Sequence, residues 1–239
     1  MFKLNSLSLV THQAALSSLP SGKLLINTIN AHSYNTAQKD PVFQEALLKG
    51  GALIPDGASM VLAMRWLKGG KIERTAGWDL FLYEMVRLNK KGGICFFLGS
   101  NEKTLHQIEE KCATVYPRIK VKYYSPPYKA EFSEKENKEM IATINAAHPD
   151  LLWIGMTAPK QEKWTYKHLE ELKVNGHIGT IGAVFDFFAG TVKRAPLWWQ
   201  HHGLEWLYRL LKEPKRMWKR YLIGNILFLW YIGKEKYFL

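Results

Sequence analysis

Only two of the 239 residues are cysteine, and 21 acidic side chains stand against 33 basic ones. Cys95 and Cys112 are too few for a disulfide framework and lack metal-ligand spacing. Each falls in an apolar or helical pattern and reads as a reduced packing residue. Long hydrophobic runs are missing too. The longest late one, Tyr221–Ile232, is interrupted by Gly224 and Asn225, and it falls well short of the roughly 20 residues of a spanning helix. Met1–Val10 carries one lysine and no apolar stretch of signal-peptide length, so no secretory signal is expected. There is no internal repeat, no low-complexity linker, no P-loop and no dinucleotide fingerprint; Gly176-x-x-Gly179-x-x-Gly182 has the wrong spacing. Asp-x-Asp and His-Glu-x-x-His are also absent, so neither a metal nor another cofactor is expected. The chain is expected in the cytoplasm, at most resting on a membrane surface.

What is present is a core-forming chain with an uneven charge. Apolar residues make up 47% and charged residues 23%, ordinary for a folded domain. The net charge is +12 and aromatics reach 13%, with nine tryptophans. Such a balance suits nucleic acid, an anionic membrane surface or phosphorylated substrates. Between Gly190 and Leu239 ten Lys/Arg face only Glu205, Glu213 and Glu235, a local net charge of +7, and five of the tryptophans lie there as well. The expected division is an α/β domain over residues 1–189 and a basic helical appendage over residues 190–239.

Short apolar runs alternate with helical patterns, which reads as α/β with a Rossmann-like, mostly parallel sheet. Strands are expected at Leu24–Ile29, Ala52–Ile54, Ile94–Leu98, Ile119–Tyr123, Leu151–Gly155 and His177–Ile181. Helical patterns fill Ala31–Lys49, the stretch after Gly57, Glu102–Tyr116 and Gln161–Leu172. In a parallel sheet the strand tips share one edge, and ligands bind outside it. Thr28-Ile29-Asn30, Pro55-Asp56-Gly57, Leu98-Gly99-Ser100 and Thr157–Gln161 all end strands. One carboxylate, helix N-termini and a Lys-Gln pair therefore converge on one crevice, suited to a phosphorylated small molecule.

Each candidate also has a plain reading. Pro55-Asp56-Gly57 is an ordinary turn in which Asp56 could cap the next helix, or Asp56 could serve as a general base. Gly99 before a helix could seat a diphosphate or simply end a strand. Helix-start chemistry accounts for Pro159 and Glu162 but leaves Lys160 and Gln161 for phosphate or sugar hydroxyls. His201 and His202 are adjacent on a helix pattern and do not face one ion with Glu205. In the tail, Lys and Arg interleave with Trp, Tyr and Leu around Pro214, the pattern of an interfacial helix. No DNA- or RNA-binding motif accompanies the charge.

Taken together, Thr28-Ile-Asn30, Pro55-Asp56-Gly57, Glu73-Arg74-Thr75-Ala76-Gly77-Trp78-Asp79, Phe97-Leu98-Gly99, Ala158–Trp164, Gly182–Phe187 and Arg194-Ala-Pro196 through Gly203–Arg209 to Glu213-Pro214 resemble the bacterial WecG/TagA/CpsF glycosyltransferases. The resemblance implies an inverting, metal-independent transfer of a sugar from a UDP-sugar. The implied acceptor is a polyprenyl-diphosphate-linked sugar at the inner face of the cytoplasmic membrane, for cell-surface polysaccharide. An N-acetylmannosamine-type sugar is the first expectation; its uronic acid and glucose are alternatives. Asp56 would be the base on the acceptor hydroxyl, with Thr28, Asn30, Arg74 and Gln161 lining the pocket. Gly99, Tyr128, Lys160 and Asp186 complete the substrate-binding candidates on the body. The appendage would dock on the membrane and bring Arg209 and Arg216 over the site. Where relatives tend to carry a further arginine this chain has Lys219, with Arg220 adjacent. A homo-oligomer in solution, and a UDP-sugar-binding component without turnover, are the remaining expectations.

Overall fold

The structure, a computed structural model, describes residues 2–70 and 72–238. Strand β1 (Leu24–Ile29) leads into α1 (Ala31–Ala37) and α2 (Pro41–Leu48). The sequence pattern predicts mostly helix across Ala31–Lys49, and the structure interrupts it. Pro41 lacks an N–H and disfavours helical backbone at Asp40, which is extended and accepts from the Phe43 N–H at 2.9 Å. Next come β2 (Ala52–Pro55), α3 (Ala58–Lys68), α4 (Gly77–Lys91), β3 (Gly93–Gly99) and α5 (Glu102–Val115). β4 (Ile119–Tyr124), α6 (Glu134–Ala147), β5 (Leu151–Gly155), α7 (Lys160–Lys167), β6 (His177–Thr180) and α8 (Val184–Ala189) complete the body.

The six strands form one sheet in the order β2-β1-β6-β5-β3-β4, with every neighbouring pair parallel. Both faces are covered, which is why β3 and β5 read as unbroken apolar runs. Cys95 and Phe97 of β3 point to one face, packing with Leu80, Phe81 and Met85 of α4, Leu105 and Ile108 of α5, and Phe185 and Phe188 of α8. Phe96 and Leu98 point to the other face, against Met140, Ile141 and Ile144 of α6 and Trp164 of α7. Each such fully buried side chain contributes roughly 1.5–3 kcal/mol. The caps are sequence-local. Asn101 accepts from the Thr104 N–H at 2.9 Å, and Ser133 with Glu136 forms a reciprocal capping box on α6. α7 stops at Lys167, short of the predicted Leu172, and the apolar stretch Val184–Phe188 is helical.

Residues beyond Gly190 form α9 (Leu197–His201), α10 (Glu205–Lys212), α11 (Pro214–Trp218), a π-helical turn (Lys219–Ile223) and α12 (Gly224–Phe238). Pro214 occupies the first turn of α11, where its missing N–H costs nothing. α12 contains most of the apolar run and presents one buried seam. Phe228 and Ile232 join a core with Phe2, Leu4, Tyr34 and Phe43. Glu235, also buried, accepts from the Leu4 N–H (2.8 Å), the Asn5 N–H (2.6 Å) and the Tyr34 hydroxyl (3.0 Å). The last helix is thus fastened to the first residues of the chain. A chain ended near Ala189 would uncover this seam, so a clean excision of the appendage is not expected to leave the body unchanged. The opposite face of α12 leaves Ile226, Leu229, Trp230 and Phe238 exposed. Among the described residues no helix is long and apolar enough to cross a membrane.

Candidate active site

The carboxyl ends of β1 and β2 place Asp56. Its N–H donates to the Ile29 carbonyl at 2.8 Å, extending the ladder one residue past β2. Gly57 follows at φ +101°, a conformation suited to glycine, and stands as the N-cap of α3 with no side-chain cap on it. Capping of α3, the plain reading of Asp56, is therefore not what the carboxylate does. Half-buried, it faces a charged cluster instead. Burial raises its pKa above the ordinary aspartate value. Arg74 opposes that shift, Glu205 reinforces it and Arg194 opposes it.

Arg74 comes from the segment before α4, and Glu205 opens α10, 131 residues later. The Arg74 Nη2–Glu205 Oε2 distance is 2.6 Å, and Arg74 Nη1 donates to the Gln200 carbonyl at 3.4 Å. Arg194 shares the same carboxylate, Nε to Oε1 at 3.3 Å and Nη2 to Oε2 at 3.5 Å, with its guanidinium 5.6 Å from the Trp78 ring centre. Burial alone would raise the pKa of Glu205; the two arginines outweigh it and hold the carboxyl below its usual range. One carboxylate between two guanidinium groups leaves net positive charge beside Asp56. Arg74 Nε is buried without a hydrogen-bond partner among the described residues.

The C-terminal segment adds a third arginine. Lys219 is exposed, its ammonium 5.5 Å from the Trp218 ring centre. Arg220 is half-buried, senses the charge of Asp56, and has a buried Nε without an acceptor among the described residues. Burial, helped by Arg209 and Arg216, lowers its pKa. It also lowers that of His32 in α1, after burial itself. Lys219 and Arg220 both lie in the π-helical turn, which widens one turn of helix. Arg209 lines a cleft of about 320 Å³ with Phe187, Lys193, Glu205 and Tyr208, whereas Arg216 is largely exposed and paired with Glu213.

The remaining candidates are held by local structure. Thr28 is half-buried opposite Ile54 of β2. Asn30 caps α1, accepting from the Ser33 N–H at 3.0 Å. Gly99, at φ +120°, passes so close to β5 that a Cβ would lie 2.4 Å from the Gly155 carbonyl oxygen; strand packing explains it without a diphosphate. Lys160 donates to the Lys129 carbonyl at 2.7 Å and lies 4.6 Å from the Phe132 ring centre. Gln161, buried, donates to Glu162 Oε1 at 2.8 Å and accepts from the Gly182 N–H at 3.3 Å. Both residues of the Lys-Gln pair thus have structural partners that sequence reasoning left unassigned. Asp186 accepts from the Thr191 hydroxyl at the end of α8, and Tyr128 is 99% exposed in the loop after β4.

Sequence reasoning missed the parts played by Glu162 and Glu205. Glu162 reads as first-turn helix chemistry, yet it is 1% exposed, its Oε2 lacks a partner among the described residues, and burial pushes its pKa up to about 7. Glu205 reads as the counter-charge of a basic tail. Its spacing to Arg194, with Trp78 and Arg74 in a second motif, is the only signal for the cluster. Among the described residues no three His, Cys, Asp or Glu side chains group as metal ligands. Glu205 lies between arginines, and His202 Nδ1 faces the Trp198 carbonyl at 2.8 Å.

Comparison with known proteins places this geometry in context. The family described as "Glycosyl transferase WecG/TagA/CpsF family" matches residues 3–239. The chain is similar to the N-acetylglucosaminyldiphosphoundecaprenol N-acetyl-beta-D-mannosaminyltransferase of Bacillus subtilis, 34% identical over 201 residues that cover 83% of this chain and 75% of the relative. It is 30% identical over 197 residues to the protein of the same name from Bacillus spizizenii, covering 82% of this chain and 74% of that one.

Proposed function

The chain belongs to the WecG/TagA/CpsF glycosyltransferase family, and from that premise we propose that it moves an N-acetylmannosamine-type sugar from a UDP-sugar to a polyprenyl-diphosphate-linked sugar, with inversion and without a metal. The observation that carries the reading is that the charges of Arg74 and Arg220 both act on Asp56, while the buried Nε–H of each lacks an acceptor among the described residues. Two guanidinium donors beside one carboxylate suit a reaction that takes a proton on one side and releases a diphosphate on the other.

Asp56, ionised, accepts the proton of the acceptor hydroxyl. That oxygen attacks the anomeric carbon as the bond from this carbon to the UDP oxygen breaks, and the bonding pair leaves on the diphosphate. Arg74 and Arg220 face the charge that develops there, with Arg209 nearer the rim. Preorganised cations of this kind stabilise a leaving diphosphate electrostatically. A raised pKa at Asp56 makes its carboxylate a better proton acceptor.

The C-terminal segment suits a membrane-borne acceptor. Leu197, Trp198, Leu211, Trp218, Ile226, Leu229 and Trp230 are exposed, among Lys212, Lys215 and Lys219. Each basic residue at an anionic surface contributes about 1 kcal/mol, giving reversible docking on the inner face of the cytoplasmic membrane. The test is UDP release from a panel of UDP-sugars, with and without polyprenyl-diphosphate-GlcNAc, by wild type and Asp56→Asn. Acceptor-dependent release that the substitution abolishes supports the reading and identifies the donor. Donor binding without acceptor-dependent release overturns it in favour of a binding component.

A further inference from the structure

Resting on the reading of Asp56 as the base, we propose that Glu205 is a positioning residue: its one carboxylate fastens Arg74 of the body and Arg194 of the C-terminal segment into a single charged unit against Asp56. The two arginines approach it from segments far apart in sequence, Arg74 at 2.6 Å and Arg194 at 3.3 and 3.5 Å. Glu205 is itself only 15% exposed, so the attraction is weakly screened. Its hold on Nη2, with the Gln200 carbonyl on Nη1, leaves Arg74 Nε as the buried donor that can meet a ligand oxygen. The same carboxylate anchors the start of α10, the helix that carries Arg209. Docking of the C-terminal segment and the electrostatics of the base are therefore one event.

Asp56 is faced by Arg74 from the segment before α4, Asp79 from α4, Arg194 and Glu205 from the C-terminal segment, and Arg220 from the π-helical turn. Removing the Glu205 charge makes Asp56 easier to ionise and a weaker base. Removing the Arg194 charge does the opposite.

The experiment is the pH profile of kcat/KM for sugar transfer by the full chain, in wild type, Glu205→Gln, Glu205→Asp and Arg194→Gln, with melting curves as the folding control. The acid limb is expected to move down in pH for Glu205→Gln and up for Arg194→Gln, each by about half a unit to one unit. Glu205→Asp, which keeps the charge, should leave the limb in place. Limbs that stay put in both charge-removing variants, whatever the rates, overturn the proposal and leave Glu205 a structural tie. Should Glu205→Gln fail to fold, the upward move expected of Arg194→Gln decides alone. Asp56→Asn separates the two levels: transfer that survives it overturns the reading of Asp56 as base, and the proposal with it.

Discussion

Replacing Glu162 by glutamine is expected to stabilise the protein at alkaline pH relative to acidic pH. The side chain is buried, one oxygen accepts from Gln161 and the other has no partner among the described residues, so the charged form is poorly solvated. Its pKa rises from 4.5 to about 7 on folding. The folded state therefore keeps a proton that the unfolded chain loses above its own pKa, and stability falls as pH rises between the two values. At 1.36 kcal/mol per unit, the loss by pH 8 is about 3 kcal/mol. Glutamine resembles the protonated acid and carries no charge, so it removes this loss. Urea unfolding of wild type and variant at pH 5 and pH 8 is the assay. The difference between them should swing by about 2.5 kcal/mol in the variant's favour from pH 5 to pH 8, since part of the loss is already present at pH 5. Any fixed cost of the amide's extra N–H cancels in that comparison. An equal difference at both pH values would refute the reasoning and place water or a counter-charge at Oε2.

Asp56→Asn is expected to lower transfer by about 10²- to 10⁴-fold with a melting temperature at pH 7.5 equal to or above wild type. The raised pKa means that ionising this carboxyl is harder in the fold than in the unfolded chain, a cost the amide does not carry; a clear fall in melting temperature would make the residue structural. Glu235→Ala removes the acceptor of two N–H groups and one hydroxyl and should cost about 3 kcal/mol or more. Urea unfolding, with hydrogen exchange at the Leu4 and Asn5 amides, would show the N-terminal segment released first; a loss below about 1 kcal/mol would argue against the clasp. Leu229→Ser with Trp230→Ser should weaken binding to anionic vesicles about tenfold or more, since each apolar side chain contributes about 1.5–3 kcal/mol when buried. Unchanged co-sedimentation would move the docking surface off α12.

The C-terminal segment joins two requirements that are usually separate. α12 packs its Phe228 and Ile232 seam on the body while leaving apolar side chains outward, so one helix carries both a core face and a free face. The π-helical turn between α11 and α12 then sets where the inward arginine falls. Family membership accounts for the glycosyltransferase class; within the turn Arg220 is half-buried and Lys219 exposed.

What the sequence by itself determined was local or periodic. Strands β3 and β5 were legible because both faces of a parallel sheet are buried, which demands unbroken apolar runs. Asp56 was legible as a strand-tip carboxylate because Pro-Asp-Gly must turn there, and parallel topology sends every such tip to one edge. The break at Pro41 follows from backbone sterics and was readable, although the periodicity masked it. The tertiary structure alone decided the rest. Glu205 meets Arg74 across 131 residues, a pairing fixed by how the C-terminal helices lie on the sheet edge. Arg220 is half-buried and Lys219 exposed within a π-helical turn, where spacing rules that assume an ideal helix do not apply. Glu162 looks like an ordinary first-turn acid until α7 packs down and removes its water. Charge, burial and partner are properties of the packed layers, and no window along the chain contains them.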